Sequence, residues 1–456
     1  MTLDAPRKAW FGQPPGLTIL FLTEMWEKFS YYGMRALLVY YMTKQLLFSQ
    51  EQASMVYGLY TALAYLSPVF GGMLADRWLG KRRAVILGGA IMAFGHFLMA
   101  FDALLYPALL AIVLGNGLFL PTLPGQVGDL YQRDDPRRGS AFNVYYVGIN
   151  LGAFLAPLIC GTLGEVYGWH VGFSAAGIGM LLGLVIYISG RRHLPPDPPR
   201  SERATLPFSA LWQPAYRPLL QLMTMIAGLI VIFRLAYEQI GNTIAIWLDT
   251  GVDRVLTADF TLPMTWFFSL NPLLVFLITP LLVRRWTRQA RDGREPAALT
   301  KMAIGAAVVG LSFALVAVLG GDPSAKVGWL WAALFFVIFT FGELFILPVG
   351  LGLFARLAPV GFGATIIAFW FLASFGGNLL AGAVGTLWST LSSAVFFSLM
   401  AGTCMLVATL LLRLERRARP LLAANAAPAQ HAATPADGAV RAGRRHHAGP
   451  AGRPPH

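Results

Sequence analysis

Charge is what this sequence has least of for its size. Asp, Glu, Lys and Arg together make up 12% of its 456 residues, about half the share usual in a soluble domain. That shortage excludes an ordinary water-soluble chain. Cysteine is nearly missing too: Cys160 and Cys404 are far apart, each inside an apolar run, which excludes a disulfide framework and leaves two small core residues. Histidine is sparse, and neither His96 nor His170 sits in an HExxH or similar spacing; with no nucleophile beside a base, no catalytic residue, metal site or cofactor is expected. Ten-residue strands of alternating hydrophobicity are absent, so a membrane barrel is excluded. MTLDAPRKAWFGQPPG at the start lacks an apolar signal core with a small-residue cleavage site, so the first span is expected to stay in the mature protein.

What is there instead is apolar length. Hydrophobic residues make up 56% of the chain, and the mean hydropathy is +0.60. Twelve stretches, at about 16–44, 52–76, 83–102, 104–130, 141–164, 170–189, 218–248, 263–283, 298–319, 327–355, 362–388 and 391–414, are each long enough for a helix to cross about 30 Å of hydrocarbon. The expected class is therefore an all-α integral membrane protein, multi-pass in a lipid bilayer. A net charge of +13 does not imply a nucleic-acid partner, because the basic residues fall in short loops and the tail rather than on one folded face. Loops after the even-numbered spans hold most of them, which predicts both termini in the cytoplasm. Residues 191–217, beginning RRHLPPDPPR, are the one long polar interruption. They divide the chain into a six-helix half (1–190), a cytoplasmic linker (191–217), a second six-helix half (218–414) and an Ala/Pro/Gly-rich tail (415–456) expected to be unstructured. Paired bundles of this kind place a binding site between the halves near the midplane.

One span breaks the apolar rule. In EMWEKFSYYGMR, Glu24, Lys28, Tyr31 and Arg35 recur at helical spacing and form a polar stripe with Glu27 at its edge. Facing lipid, four such charges would cost roughly 10 kcal/mol, so the stripe must pair internally or face a wet cavity. Arg234 and Glu238, one turn apart in IVIFRLAYEQIGN, and Glu343 in VIFTFGELFILPVG repeat the anomaly. Buried acids and bases at close quarters suit a proton-coupled mechanism.

EMWEKFSYYG resembles the first-helix motif of the proton-dependent oligopeptide transporter family, within the major facilitator superfamily. Further pieces follow in the family's order, among them GNGLFLPTLPGQVGDLY, GINLGAFLAPLICG, AYEQIGN, WFFSLNP, FGELFILPVG and FWFLASFGGNLLAG. The resemblance implies a major-facilitator fold of two six-helix bundles, a monomer in a bacterial-type cytoplasmic membrane. It also implies import of di- or tripeptides, or peptide-like compounds, by alternating access with protons as the coupling ion. It assigns Glu24, Glu27, Lys28 and Glu238 to proton coupling and salt bridges. Glu343, Asn150 and Asn271 are assigned to the peptide's amino end, Arg35 to its carboxylate, and Tyr31, Tyr32, Tyr65 and Trp370 to the cavity lining. In GGMLADRWLGKRR, Asp76, Arg77 and Arg82 match a cytoplasmic gate motif. Competing readings keep the fold with another small zwitterion or anion as cargo or with drug export by proton exchange, or invoke a receptor that does not transport, or an intramembrane enzyme.

The sequence also departs from that pattern. GLFLPTL puts Leu120 where the family usually has a lysine that faces the substrate carboxylate; Lys28 replaces an arginine, Phe268 a glutamine, and Gly58 stands where some relatives have a histidine. Arg234 stands where an aromatic residue is common. The count of four intramembrane acids and three bases is thereby kept, and the expectation is that the charge missing at Leu120 has moved to Arg234.

Overall fold

The structure is a computed structural model that describes residues 12–132, 135–197, 213–320, 325–359 and 362–426. The middle of the linker, the tail from 427 and its histidines lie outside the described residues. Helices occupy most of what is described, and twelve of them are long. They are α1 (Pro15–Lys44), α2 (Gln50–Leu79), α3 (Lys81–Leu98), α4 (Asp102–Asp129), α5 (Arg137–Tyr167) and α6 (Trp169–Gly190) in the first half. In the second half come α7 (Arg217–Thr250), α8 (Trp266–Arg291), α9 (Ala298–Leu319), α10 (Trp329–Leu357), α11 (Gly363–Gly385) and α12 (Ser393–Ala426). Ten are long and apolar enough to cross a membrane by composition alone; the other two are α1, with its charged stripe, and α3, which opens on Lys81-Arg82-Arg83.

Local chemistry sets the ends. Pro15 starts α1 after an extended Pro14, a position where the missing N–H costs nothing. Ser49 and Gln52 cap the start of α2 reciprocally, satisfying donors that the helix leaves orphaned. Gly80 lies at φ +82° between α2 and α3, a left-handed turn that a side chain resists. Two helices run further than the hydropathy suggests. α8 reaches Arg291 rather than about 283, because its basic residues are good helix formers that need no burial. α12 continues to Ala426, so the segment from 415 expected to be unstructured begins as helix; Glu415 and Arg419 pair one turn apart at 3.2 Å, which favours it.

Within the first half α1 packs on α5 and α6, and α4 on α2 and α3; within the second, α9 packs on α10 and α12, and α11 on α7. The second half closes around a cluster of buried aromatics, Phe313, Phe335, Phe336, Phe339, Phe396 and Phe397 among them. Lipid supplies no hydrophobic drive between helices, so close packing of small residues carries the association. Where α2 crosses α11, a methyl added at Gly58 would fall 2.3 Å from the Gly382 Cα. The histidine that some relatives place there has no room in this arrangement.

The halves meet along α2–α11 and α5–α8, and polar bonds tie them on the side away from the termini. Tyr40 Oη and Lys44 Nζ reach Asp249 at 2.5 and 2.8 Å. Glu165 accepts from the backbone N–H groups of Met264 and Thr265 and from the Thr265 hydroxyl at 3.0, 2.9 and 2.6 Å, capping the start of α8. Gln50 donates to the Gly385 carbonyl, and Ser54 to Asn242. Two short strands, Val252–Asp253 and Val327–Gly328, pair in parallel across the loops on that same side. At the terminal side the gate motif bonds to the start of the linker and to its own half: Asp197 accepts from the backbone N–H of Lys81 and Arg82, Arg82 donates to the Leu194 carbonyl, and Lys81 pairs with Asp129. Asp76 and Arg77 are exposed in the last turn of α2.

Candidate functional site

A cavity of about 250 Å³ lies between the halves. Its walls come from α1, α2 and α5 on one side and α7, α8 and α10 on the other, and it carries four charged side chains: Arg35, Arg234, Glu238 and Glu343.

Glu238 is gripped at both oxygens. Arg35 Nη2 donates to Oε2 at 2.6 Å, and Arg234 Nη1 donates to Oε1 at 2.6 Å. One guanidinium comes from α1 and the other from α7, so the carboxylate joins the halves, and its single negative charge is shared between two positive ones. Arg35 also donates from Nε to the Tyr57 hydroxyl at 2.8 Å. Arg234 lies with its guanidinium carbon 5.0 Å from the Tyr65 ring centre and 5.9 Å from that of Tyr237, within the range of a cation–π contact. Arg234 is 5% exposed, and its Nε has no hydrogen-bond partner among the described residues.

Glu343 forms the opposite pole. Asn271 donates to it at 2.5 Å and Tyr237 at 2.9 Å, so two neutral donors orient the carboxylate without cancelling its charge. An ammonium group is the complement of such a site. Asn150, Tyr32 and Tyr65 line the same space, with Tyr146, Tyr237 and Phe268.

The structure thus gathers Arg35, Arg234, Glu238, Glu343, Asn150, Asn271, Tyr32 and Tyr65 around one cavity. It leaves five expected residues outside the lining. Lys28 lies 2.6 Å from Glu27 and 3.3 Å from Glu24, all three buried within the first half. Tyr31 turns into the core beside Tyr32, edge-on at 5.3 Å. Trp370, expected to line the cavity, packs instead on Phe354 at 5.1 Å and over Gly350. Periodicity gives these residues a helix face but not how far that face lies from the lumen. Conversely, Tyr237 went unnoticed in the sequence although it stands three residues after Arg234, on the same face of α7.

Leu120 is half-buried on α4 and does not line the cavity. A guanidinium from α7 occupies the cavity, and the first-half wall contributes only Arg35 in charge.

Comparison with known proteins agrees with this architecture. The profile of the POT family matches residues 82–214 and 208–401. The chain belongs to the POT family. A transporter of Bacillus subtilis, YclF, described as uncharacterized, is 33% identical and covers 86% of this chain and 92% of its own. The di-/tripeptide transporter of Lactococcus lactis subsp. cremoris is 32% identical over 91% of this chain and 97% of its own. A crystal structure of a POT family transporter in complex with a thioalcohol-conjugated peptide superposes with a TM-score of 0.82 at 27% identity, covering 90% of this chain and 98% of that one. Membership in the POT family makes the chain a multi-pass transporter of the major-facilitator fold, with twelve helices in all, rather than an enzyme.

Proposed function

We propose that this POT family member imports di- and tripeptides, or compounds shaped like them, in symport with protons, working as a monomer in a cytoplasmic membrane with both termini inside. The observation that supports it most is the opposition of two charged poles in one cavity. Glu343, held by two neutral donors, suits the ammonium end of a zwitterion, and the guanidiniums of Arg35 and Arg234 suit its carboxylate. With both termini inside, the polar ties between the halves close the outer end, and the arrangement is inward-facing. Protonation of a carboxylate among Glu24, Glu27 and Glu238 loosens an ion pair and lets the halves rock about the bound cargo. Among these three carboxylates Glu238 is the one whose ion pair, with Arg35, spans both halves, so a proton there loosens one of the ties between them.

Uptake of labelled dialanine into liposomes holding the purified protein tests the reading. Accumulation driven by an inward proton gradient and an inside-negative potential is expected. No uptake of dialanine or trialanine under that gradient would overturn it and leave another small zwitterion or anion as cargo.

A further inference from the structure

We infer that Arg234 receives the acidic end of the cargo, and that its place on the same wall as Glu343 makes the cavity selective for cargo about two residues long. The inference rests on the peptide-import reading and sharpens it.

Three observations carry it. Arg234 lies in the cavity wall with donors to spare: a guanidinium has five N–H groups, and Glu238 takes one of them, at Nη1. Next, the two poles flank one side chain. Arg234 stands 5.9 Å from the Tyr237 ring centre and the Tyr237 hydroxyl donates to Glu343 at 2.9 Å. With the phenol between them, the Arg234 guanidinium carbon and that Glu343 oxygen are at most about 12 Å apart. A carboxylate at one end and an ammonium at the other use about 7 Å of this in hydrogen-bonded contact. At most about 5 Å remains for the cargo's own span, and at about 3.5 Å per residue that admits nothing longer than a bent dipeptide, while an extended tripeptide overshoots. Finally, the cavity holds about 250 Å³, below the roughly 300–1,000 Å³ of sites for drug-sized ligands.

Arg35 is the other cation in the cavity and it belongs to the opposite wall. A longer cargo anchored at Glu343 must cross to it for its carboxylate. Arg234 therefore governs short cargo, and its removal affects short cargo selectively. Replacing it by phenylalanine leaves Glu238 paired with Arg35 at 2.6 Å.

The test is counterflow of labelled dialanine in proteoliposomes with three unlabelled competitors: dialanine, dialanine amide and trialanine. In the wild type, dialanine is expected to compete about tenfold better than the other two, the magnitude of a lost charged hydrogen bond. Arg234→Phe is expected to bring all three within about twofold, and Arg234→Lys to restore discrimination against the amide. If Arg234→Phe stops counterflow altogether, ligand-induced shifts in the melting temperature of the purified variant read the same three-way ratio. An unchanged ratio in that variant overturns the inference, since Arg234 would then only neutralise Glu238. A wild type that recognises dialanine but accepts the amide or trialanine equally also overturns it and leaves peptide import standing. A wild type blind to all three peptides overturns the import reading and this inference with it.

Discussion

The two halves of this molecule use intramembrane charge in opposite ways. In the first half Glu24 and Glu27 both pair with Lys28 inside the bundle, two acids on one base, and Arg35 alone reaches the cavity. In the second half Arg234, Glu238 and Glu343 all stand in the cavity wall. Both sets cost free energy to insert, yet one is spent on internal pairing and the other is presented to whatever enters. The contrast shows why counting charges is a weaker guide than placing them. The count of four acids and three bases does not tell which of them line the cavity; there Arg234 of α7 stands in the wall and Leu120 of α4 does not.

The link between the halves is the point at which this contrast is easiest to break. Glu238→Ala would leave Arg35 and Arg234 buried without their shared partner, a loss of about 3–5 kcal/mol for a buried pair deprived of one member. A marked fall in melting temperature and loss of gradient-driven uptake are expected, with Glu238→Gln melting closer to the wild type because the amide still accepts from one guanidinium. A Glu238→Ala protein that melts with the wild type would show that the two guanidiniums find other partners.

Glu343 probes the second half's wall alone. Its bonds to Asn271 and Tyr237 are neutral-donor bonds, so Glu343→Gln removes charge with little change of shape. Dialanine uptake should fall by about 10–100-fold, as for one charged hydrogen bond to the cargo ammonium, while the melting temperature holds. N-acetylated dialanine, which has no ammonium to lose, should compete equally in both proteins; if it competes better in the wild type, Glu343 does not read the amino end.

Much of this site was legible in the sequence, for a physical reason. A charge in a span of twenty apolar residues has few tolerable places, so Glu24, Glu27, Lys28, Arg35, Arg234, Glu238 and Glu343 announce themselves by cost alone. Aromatic residues carry no such penalty. Tyr31, Tyr32, Tyr65, Tyr237 and Trp370 are equally at home in packing or in a wall, and among them the structure separates what hydropathy and spacing cannot. Helix ends were legible where a cap or proline marks them, as at Pro15 and Ser49, and illegible where a basic run continues as helix past the apolar stretch, as in α8.

A smaller effect sharpens the relocation of charge from α4 to α7. Arg234→Phe should lower dialanine uptake about tenfold, and adding Leu120→Lys should restore part of that loss only if a cation on α4 can serve the same pole. Leu120 is not among the lining residues, but the long, flexible lysine stem reaches further than leucine. Full failure of the double variant to recover uptake would mean that Arg234 is not a displaced copy of the α4 charge and that the pole needs its guanidinium on the second half.

The smallest expected effect concerns Trp370, where sequence and structure disagree most plainly. Its ring is 4% exposed and rests on Phe354 and the backbone of Gly350, so it is part of the second half's core behind the wall. Trp370→Phe removes ring volume from that core without placing a polar group there, at a cost of about 1–2 kcal/mol. A melting temperature lower by a few degrees is expected, with KM for dialanine within about twofold of the wild type because no cargo contact is lost. A KM that rises about tenfold with an unchanged melting temperature would put the indole in contact with cargo. The wall would then be deeper than the cavity seen here, and the second half would present an aromatic as well as its three charges.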